Sequence, residues 1–315
     1  MTAELAAQHG AKAWHGADLD PAEWHVDCSA EQLAELSALV DRLDGCTLDT
    51  VTADDFNTPA MRDLADRVTR MLNDGPGIAL VRTWPVAQWG IESVGMLFWG
   101  LGTLLGTPLP QTARGERLSA VTREVTSDAR LRESSRRGSR SDAEIDFHTE
   151  NALPPRPPRL IALLCCREAR EGGESAFVSG VTLYNTLLAR QPELARQLAR
   201  PFSFGRQEGD WPDGRSSDES PVFDFESDRL RVRFNRYWME RGVDQAGGWS
   251  DGQRAAVEAF EAAAHDEGVC LEHPLRVGEM VFVDNRSVLH ARRKFVDHSD
   301  DDPSRNRMLW RLWCS

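Results

Sequence analysis

A histidine and a glutamate two positions apart, His148 and Glu150, have the types and the spacing of metal ligands. Successive side chains of a β-strand point to opposite faces, so on a strand these two would share one side and Thr149 would point away. An imidazole and a carboxylate on one side supply two ligands of the 2-His-1-carboxylate triad, which holds Fe(II) and leaves other coordination positions open. The sequence therefore predicts a metal site that needs a third ligand from elsewhere in the chain.

His290 is the natural candidate for this third ligand. It follows an apolar, strand-like run at residues 280–283 and a turn at residues 284–286. Imidazole and carboxylate ligands suit several divalent ions, so the ligand types alone do not name the metal. A lone His-x-Glu sequence is also common on ordinary surfaces, and the interpretation depends on the motifs around it.

Several other segments accompany these residues in a fixed order. They are residues 160–166 (LIALLCC), 172–179 (GGESAFVS), 282–292 (FVDNRSVLHAR) and 307–313 (RMLWRLW). Together with residues 148–151 (HTEN), they resemble the taurine dioxygenase-like superfamily of Fe(II)/2-oxoglutarate oxygenases. Because the carboxylate is glutamate rather than aspartate, the chain is most similar to the clavaminate synthase-like branch, which includes amino-acid hydroxylases.

The resemblance implies that the metal is Fe(II), held by His148, Glu150 and His290, and that 2-oxoglutarate is the cosubstrate. Arg307 would grip the C5 carboxylate of 2-oxoglutarate, since a planar guanidinium can form two parallel charge-assisted hydrogen bonds with a carboxylate. Ser175 occupies the position where many members use threonine to hydrogen-bond the cosubstrate. Either hydroxyl can donate, so the serine is compatible with this role.

Arg311 follows Arg307 by four residues on the same predicted strand and should therefore face the same interior. Family analogy gives it a second contact to the cosubstrate or a contact to a carboxylate of the substrate. An inward-facing arginine without an anionic partner would be costly, which favours a ligand there. Arg305, two residues before Arg307, is the better candidate for a surface charge.

The substrate itself is less sharply defined by the sequence. The branch often acts on amino acids or their derivatives, and the resemblance implies substrate contacts from the loop before the first metal ligand. The candidates are Gln111, Ser139 and Ser141 in that loop, Asn151 directly after the carboxylate ligand, and Arg236 in the pair Asn235-Arg236. Each is also compatible with an ordinary loop residue.

The implied reaction is hydroxylation of an sp³ carbon of a free or derivatised amino acid, with consumption of O₂ and decarboxylation of 2-oxoglutarate to succinate and CO₂. One alternative is desaturation, cyclisation or epoxidation of a small-molecule biosynthetic intermediate by the same chemistry. Another is a catalytically silent relative that binds 2-oxoglutarate, although the complete ligand set argues against it. Glu150 argues against a halogenase, and no H-E-x-x-H motif supports a metal-dependent hydrolase.

The composition excludes several classes of partner. The 315 residues carry a net charge of −13, which argues against nonspecific binding to nucleic acid or to an anionic membrane. No apolar run approaches the ~20 residues of a membrane span, and residues 1–16 lack the apolar core of a signal peptide. The six cysteines show no C-x-x-C spacing. We expect a cytoplasmic enzyme with a small-molecule substrate, and the sequence leaves its oligomeric state open.

One catalytic domain is expected at residues 21–315, after a flexible lead-in at residues 1–20. The resemblance implies an α+β fold with a mainly β core, a distorted double-stranded β-helix (jelly-roll) flanked by helices. Residues 21–110 would supply helical support and a first strand, residues 111–143 an active-site lid loop, and residues 144–315 the jelly-roll core with inserted helices.

Helical periodicity outside the motifs indicates supporting elements without chemistry of their own. The predicted helices begin at a capping box at residues 29–32, at residue 59, at about residue 86 and at residue 249, and they end near residues 43, 72, 105 and 267. Alternating or apolar runs predict further strands at residues 77–82, 222–225 and 230–234.

Overall fold

Two β-sheets form the core of the protein, and helices cover their outer faces. The computed structural model describes residues 5–112, 115–123, 141–150, 157–205, 217–226, 229–244, 247–298 and 302–315. In chain order the strands are β1 (His25–Asp27), β2 (Ile78–Arg82), β3 (Leu118–Thr122), β4 (Ile145–His148), β5 (Leu160–Arg167), β6 (Glu171–Gly172), β7 (Ser175–Ser179), β8 (Pro201–Gly205), β9 (Ser217–Pro221), β10 (Phe223–Glu226), β11 (Arg229–Val232), β12 (Leu271–His273), β13 (Met280–Asp284), β14 (Val288–Arg292), β15 (Phe295–Val296) and β16 (Met308–Cys314).

The helices lie mainly before β3 and between β7 and β12. They are α1 (Ala30–Arg42), α2 (Pro59–Asn73), α3 (Val86–Trp89), α4 (Ile91–Leu105), α5 (Gly180–Arg190), α6 (Pro192–Leu198), α7 (Arg236–Asp244) and α8 (Asp251–Ala264). Short 3₁₀ turns occur at Pro21–Glu23, Ala53–Phe56 and Pro303–Arg305. In the described part of the chain, no helix combines the length and the apolar composition that crossing a membrane requires.

The large sheet has six strands in the order β1-β2-β13-β5-β16-β3, and the small sheet has four in the order β12-β7-β14-β4. Neighbouring strands are antiparallel except for β1 and β2, which are parallel. Strands β13 and β14 are joined by a short turn yet belong to different sheets. The chain thus crosses between the sheets at this turn, as expected for a jelly-roll.

Successive side chains of β13 enter two different apolar clusters, which shows that the large sheet is buried on both faces. Met280 and Phe282 belong to the apolar cluster shared with α1, α2 and α4, and the ring of Phe282 lies 6.1 Å from that of Phe98. Val281 and Val283 belong instead to the cluster between the two sheets. A strand buried on both faces needs a continuous apolar sequence rather than alternation, which is what residues 280–283 provide.

The small sheet follows the same logic and thereby orients the predicted metal ligands. Phe147 of β4 and Leu289 and Ala291 of β14 pack against the cluster formed with α5, α6 and α8. Their neighbours His148 and His290 must therefore point to the opposite face, toward the space between the sheets.

Several predicted elements agree closely with the structure, and one is wrong. Helix α1 begins after Ser29, whose side chain accepts a hydrogen bond from the backbone of Gln32 as the capping box predicts. The single helix predicted over about residues 86–105 is instead two helices, α3 and α4. They meet at Gly90, whose φ of 84° is incompatible with a continuous helix.

The predicted domain organisation meets two further observations. Within the stretch predicted as a lid loop, residues 111–143, strand β3 forms an edge of the large sheet by pairing with β16; residues 124–140 lie outside the described residues. Residues 5–16 of the predicted flexible lead-in contact the body of the protein, and Trp14 is buried. The lid function and the flexibility of residues 1–20 stay predictions, since both concern motion.

Candidate metal centre and cosubstrate pocket

Pairing of β4 with β14 brings the two predicted histidine ligands together. His148 and His290 are directly opposite one another in the antiparallel register, and their ring centroids are 4.3 Å apart. Between them in sequence lie 141 residues (290 − 148 − 1), so this contact depends entirely on the closure of the small sheet.

Glu150 joins the histidines from just beyond the end of β4. The expectation that His148 and Glu150 share one strand is therefore corrected, because the strand ends at His148. Potential ligand atoms of His148, Glu150 and His290 nevertheless all lie within 4.8 Å of one another, and no other such group of histidine, cysteine or acidic residues occurs in the described part of the chain. This geometry can hold one divalent metal ion.

Hydrogen bonds from two other segments hold the chain at Glu150 in place of strand pairing. The backbone N–H of Thr149 donates to the carbonyl of Phe234 at 2.6 Å, and the Thr149 hydroxyl accepts from the N–H of Phe234 at 3.0 Å. The side chain of Asn285 accepts from the N–H of Glu150 at 2.7 Å and donates to its carbonyl at 3.1 Å. Sequence reasoning assigned no role to Thr149 or Asn285 in this support.

The hydrogen bond of His148 and the burial of His290 both suit metal binding. Nδ1 of His148 lies 2.8 Å from the carbonyl of Asp146, and because a carbonyl only accepts, Nδ1 carries the proton and Nε2 is free to coordinate. Burial, followed by the charges of His148 and Arg311, holds the pKa of His290 well below its ordinary value. His290 is therefore neutral at neutral pH.

His290 also lacks a competing partner. Its Nδ1 is buried without a hydrogen bond to any described residue. Two imidazoles and one carboxylate with converging donor atoms are the ligand set of the 2-His-1-carboxylate sites that hold Fe(II). The residues present fit that ion.

A buried, unpaired arginine lies directly before β16. The backbone N–H of Arg307 donates to the carboxylate of Asp297 at 2.8 Å, and its guanidinium carbon lies 5.3 Å from the ring centroid of Phe295. No described residue forms a hydrogen bond or an ion pair with the guanidinium, although Arg307 is only 6% exposed. Burial lowers the pKa of Arg307. Because a buried cation needs an anion, the pocket favours an anionic ligand.

One glycine of the GGES motif, Gly173, leaves room for this arginine. Gly173 has a φ of 79°, and a β-carbon there would lie 3.2 Å from Nε of Arg307 and 3.2 Å from Cβ of Phe295. Ser175 follows as the first residue of β7 and is buried, opposite Arg292 of β14 in the register. Ser175 is thus on the strand that neighbours His290, at the level of a second arginine.

That second arginine, Arg292, was not singled out from the sequence. Its guanidinium donates to the carbonyls of Ser141 at 2.8 Å and Ala143 at 2.5 Å and lies 4.9 Å from the ring of Phe295. Burial, followed by the charge of Arg307, lowers the pKa of Arg292 to about 10. Its position two residues after His290 on a strand was the available clue, since it places both side chains on one face.

Arg311 lies next to the predicted metal ligands. Its Nη1 is 3.3 Å from the Glu150 carboxylate, and its Nε donates to the side-chain oxygen of Gln111 at 2.7 Å. Gln111 in turn donates to the carbonyls of Arg117 at 2.7 Å and Arg311 at 2.8 Å. Gln111, which the sequence predicts as a substrate contact, thus helps to orient Arg311 in the structure.

The remaining predicted substrate contacts have different surroundings. Arg236 donates to Glu240 at 2.7 Å and also to Glu261, so two carboxylates already bind its guanidinium. Ser141 contributes its carbonyl to Arg292. Ser139 and Asn151 lie outside the described residues.

Comparisons with known proteins agree with this geometry. The family described as "Taurine catabolism dioxygenase TauD, TfdA family" matches residues 40–313. FR-33289 synthase of Streptomyces rubellomurinus is 25% identical over 309 residues, which cover 96% of this chain and 89% of that protein. L-lysine 3-hydroxylase of Catenulispora acidiphila is 24% identical over 172 residues, which cover 51% of this chain and 43% of that protein.

Among solved structures, asparagine oxygenase in complex with Fe(II), 3-hydroxyasparagine and succinate superimposes with a TM-score of 0.72. The sequence identity is 17%, and the match covers 92% of this chain and 93% of that one. This likeness confirms the predicted jelly-roll core with flanking helices. Because the family match spans most of the chain, the protein belongs to the TauD/TfdA dioxygenase family and is an Fe(II)- and 2-oxoglutarate-dependent oxygenase.

Proposed function

We propose that this enzyme hydroxylates an sp³ carbon of a free or derivatised amino acid. His148, Glu150 and His290 would hold the iron, and Arg307 would bind the C5 carboxylate of 2-oxoglutarate with help from Ser175. The observation that carries the proposal is the convergence of three metal-ligating side chains in a chain whose buried Arg307 guanidinium has no protein partner among the described residues.

When bound, iron and 2-oxoglutarate would supply the O₂-dependent oxidation, with release of succinate and CO₂. The residues of the chain would bind and orient the cosubstrate and neutralise its negative charge. The unpaired guanidinium of Arg307 would fix the distal carboxylate of the cosubstrate through two charge-assisted hydrogen bonds. Arg292 would add positive charge to the same pocket, since both guanidiniums lie against the ring of Phe295.

An amino-acid substrate is supported by the residues beside Glu150. Arg311 is held by Gln111 and lies beside the Glu150 carboxylate, so a guanidinium lies next to the proposed iron ligands. Because Glu150 is committed to the metal, this guanidinium would bind the carboxylate of an amino-acid substrate. The names of the relatives, L-lysine 3-hydroxylase and asparagine oxygenase, support the same substrate class.

The alternative substrate, a small-molecule biosynthetic intermediate, is supported by one observation, whether the same chemistry ends in hydroxylation, desaturation, cyclisation or epoxidation. The similarity to FR-33289 synthase covers 96% of this chain, and the name of that protein denotes the synthesis of a specific product. Product mass separates the outcomes: hydroxylation adds one oxygen atom, whereas desaturation removes two hydrogen atoms.

The test is formation of succinate by metal-free protein reconstituted with Fe(II), 2-oxoglutarate and a library of amino acids and their N- or C-derivatives. We expect substrate-dependent succinate from the native protein and a loss of at least about 100-fold in His290→Ala, because the iron loses a ligand. His15→Ala is the matched control, since His15 is exposed. Equal activity of His290→Ala and native protein would refute the metal assignment.

We also propose a cytoplasmic location. All six cysteines are free thiols in the structure, and three of them, Cys165, Cys166 and Cys314, are buried as small apolar side chains. Thiols that stay unpaired are typical of proteins in reducing compartments. Fractionation of the producing cells with detection of the protein tests this proposal, and recovery from a secreted fraction would contradict it.

A further inference from the structure

Asn285 makes an unusually complete set of hydrogen bonds next to Glu150. Its side-chain oxygen accepts from the N–H of Glu150, and its amide nitrogen donates to the carbonyls of Glu150 and, at 2.9 Å, Pro158. Its own backbone N–H donates to the carbonyl of Arg159 at 2.8 Å. The residue is 2% exposed, so water does not compete for these bonds.

The position of Glu150 explains why such support matters. The strand that carries His148 ends before Glu150, so no neighbouring strand fixes the backbone at this residue. The two-point bond from Asn285 replaces that pairing by framing the N–H and the carbonyl of Glu150 as a strand partner would. Removal of both bonds would leave the partly buried N–H and carbonyl of Glu150 without these partners, so the position of the carboxylate would be less restrained.

Asn285 is itself anchored in the turn that joins the two sheets. Lys12 donates to the carboxylate of Asp284 at 2.5 Å and to the hydroxyl of Ser287 at 3.2 Å. The Ser287 hydroxyl also donates to Asp284 at 2.8 Å. Hydrogen bonds therefore hold the turn both before Asn285, at Asp284, and after it, at Ser287. They restrain the backbone from which the Asn285 side chain extends.

We propose that Asn285 is a positioning residue for the metal site, which sets metal affinity by fixing the backbone of Glu150. This inference rests on the proposed function, because it takes Glu150 as a metal ligand. Groups that orient a metal ligand without touching the metal commonly change metal affinity by about 10-fold to 100-fold when removed. The loss arises because an unrestrained carboxylate must be ordered again each time the ion binds.

Asn185 offers a matched control within the same chain. Its side-chain oxygen accepts from the N–H of Gln8 at 2.8 Å, and its amide nitrogen donates to the carbonyl of Gln8 at 2.7 Å. The bonding pattern is the same two-point frame, but the residue it frames is not a metal ligand. Asn185→Ala therefore removes equivalent bonds without touching the proposed site.

The experiment is anaerobic titration of metal-free protein with Co(II), followed by visible absorption, together with the Tm of each metal-free variant. We expect Asn285→Ala to raise the Co(II) dissociation constant at least about 10-fold and Asn185→Ala to leave it within about twofold. Both variants should lower the Tm. If Asn285→Ala does not fold, Asn285→Ser, which leaves room for a bridging water, is titrated instead with the same expectation of weaker binding.

The outcomes separate this inference from the function on which it rests. Native protein that binds Co(II) no more tightly than His290→Ala would show that the metal assignment itself is wrong. Native protein that binds Co(II) through the three ligands, while both Asn285 variants bind equally well, would overturn the role of Asn285 alone. If the Co(II) dissociation constant rises as much in Asn185→Ala, the effect of Asn285→Ala comes from a general loss of stability, and the positioning role of Asn285 is likewise overturned.

Discussion

Two buried arginines against one phenylalanine ring differ in what satisfies them. Arg292 donates to two backbone carbonyls, whereas no described residue bonds the guanidinium of Arg307. A cation satisfied by carbonyls can remain in place without a ligand, and an unsatisfied one is costly to bury. Arg307 therefore has its whole guanidinium available to an incoming carboxylate, whereas Arg292 has already used one guanidinium nitrogen and keeps a buried Nε without a partner among the described residues.

Substitution of Arg307 tests this at the level of one side chain. Arg307→Lys keeps the charge but loses the planar fork, so 2-oxoglutarate should bind about 10-fold to 100-fold more weakly, and Arg307→Ala should bind it more weakly still. The measurement is calorimetric titration of the anaerobic Co(II)-loaded protein with 2-oxoglutarate.

Arg305→Ala is the control for this titration, because Arg305 is exposed two residues earlier. Its dissociation constant for 2-oxoglutarate should stay within about twofold of the native value. If Arg307→Ala binds 2-oxoglutarate as tightly as the native protein, the cosubstrate binds elsewhere and the assignment of Arg307 is wrong.

Much of the site could be predicted from residue types and their order. His148, Glu150 and His290 were identified from the sequence, and the structure brings them together. What the sequence did not contain was their support. Asn285 and Arg292 act through backbone carbonyls and amides, and any residue type can present these groups, so no sequence pattern marks the partner.

At the scale of elements, the N-terminal segment is bonded to the turn between β13 and β14. Asp284, at the end of β13, has a buried carboxylate that pairs with Lys12. Burial alone would raise the pKa of Asp284, but the charge and hydrogen bond of Lys12, the charge of Arg286 and the hydroxyl of Ser287 outweigh it and lower the pKa. Asp284 is therefore ionised throughout the neutral range.

Lys12→Met should destabilise the metal-free protein by about 2–3 kcal/mol at pH 7, because it removes the nearer cation of a buried carboxylate and leaves, of the described residues, only Arg286, at 3.4 Å. A carboxyl group with a lowered folded pKa contributes stability above its unfolded pKa and loses it as the pH falls through the folded value. The difference between native and variant protein should therefore be largest at neutral pH and shrink toward and below pH 3.8, the ordinary pKa of the group.

Urea unfolding between pH 3 and pH 8 measures this difference. Lys294→Met is the control, since the only other lysine of the chain is exposed, and its free energy of unfolding should match that of the native protein within about 0.5 kcal/mol. A Lys12→Met deficit that is independent of pH would show that the ion pair does not stabilise the segment.

Element prediction succeeded where local periodicity was strong. Helices α1, α2 and α8 were expected from apolar spacing and capping residues, and the structure has all three. The break at Gly90 was missed because residues 86–105 are apolar almost all round, so the spacing of apolar residues does not reveal where one helix ends and the next begins. Strand β3 was missed because its five residues lie within a long polar stretch without periodicity and pair with β16, a distant part of the chain.

At the scale of the whole molecule, the apolar clusters leave little thiol accessible. Burial raises the pKa of Cys165, Cys166 and Cys314 to about 12 and that of Cys270 to about 11. Cys46 is the exposed cysteine. Since the thiolate is the reactive form, the folded protein should present one readily modified sulfur.

A thiol-labelling time course tests how completely the fold is closed. Native protein should react with about one equivalent of an aromatic disulfide reagent in a fast phase, which Cys46→Ser should abolish. In denaturant all six cysteines should react at similar rates. Fast reaction of three or more thiols in the native protein would mean that the buried clusters open readily.

The place of β16 in the large sheet has a consequence for synthesis on the ribosome. This strand is the last of the described strands in sequence, yet it lies between β5 and β3 rather than at an edge. Until residues 308–314 leave the exit tunnel, β5 has an open edge and β3 has no strand partner. A nascent chain that already contains His148, Glu150 and His290 thus still exposes unpaired strands, which invite aggregation or capture by chaperones. A stop codon at position 308 would therefore produce a chain that has its metal-binding side chains but cannot complete its large sheet.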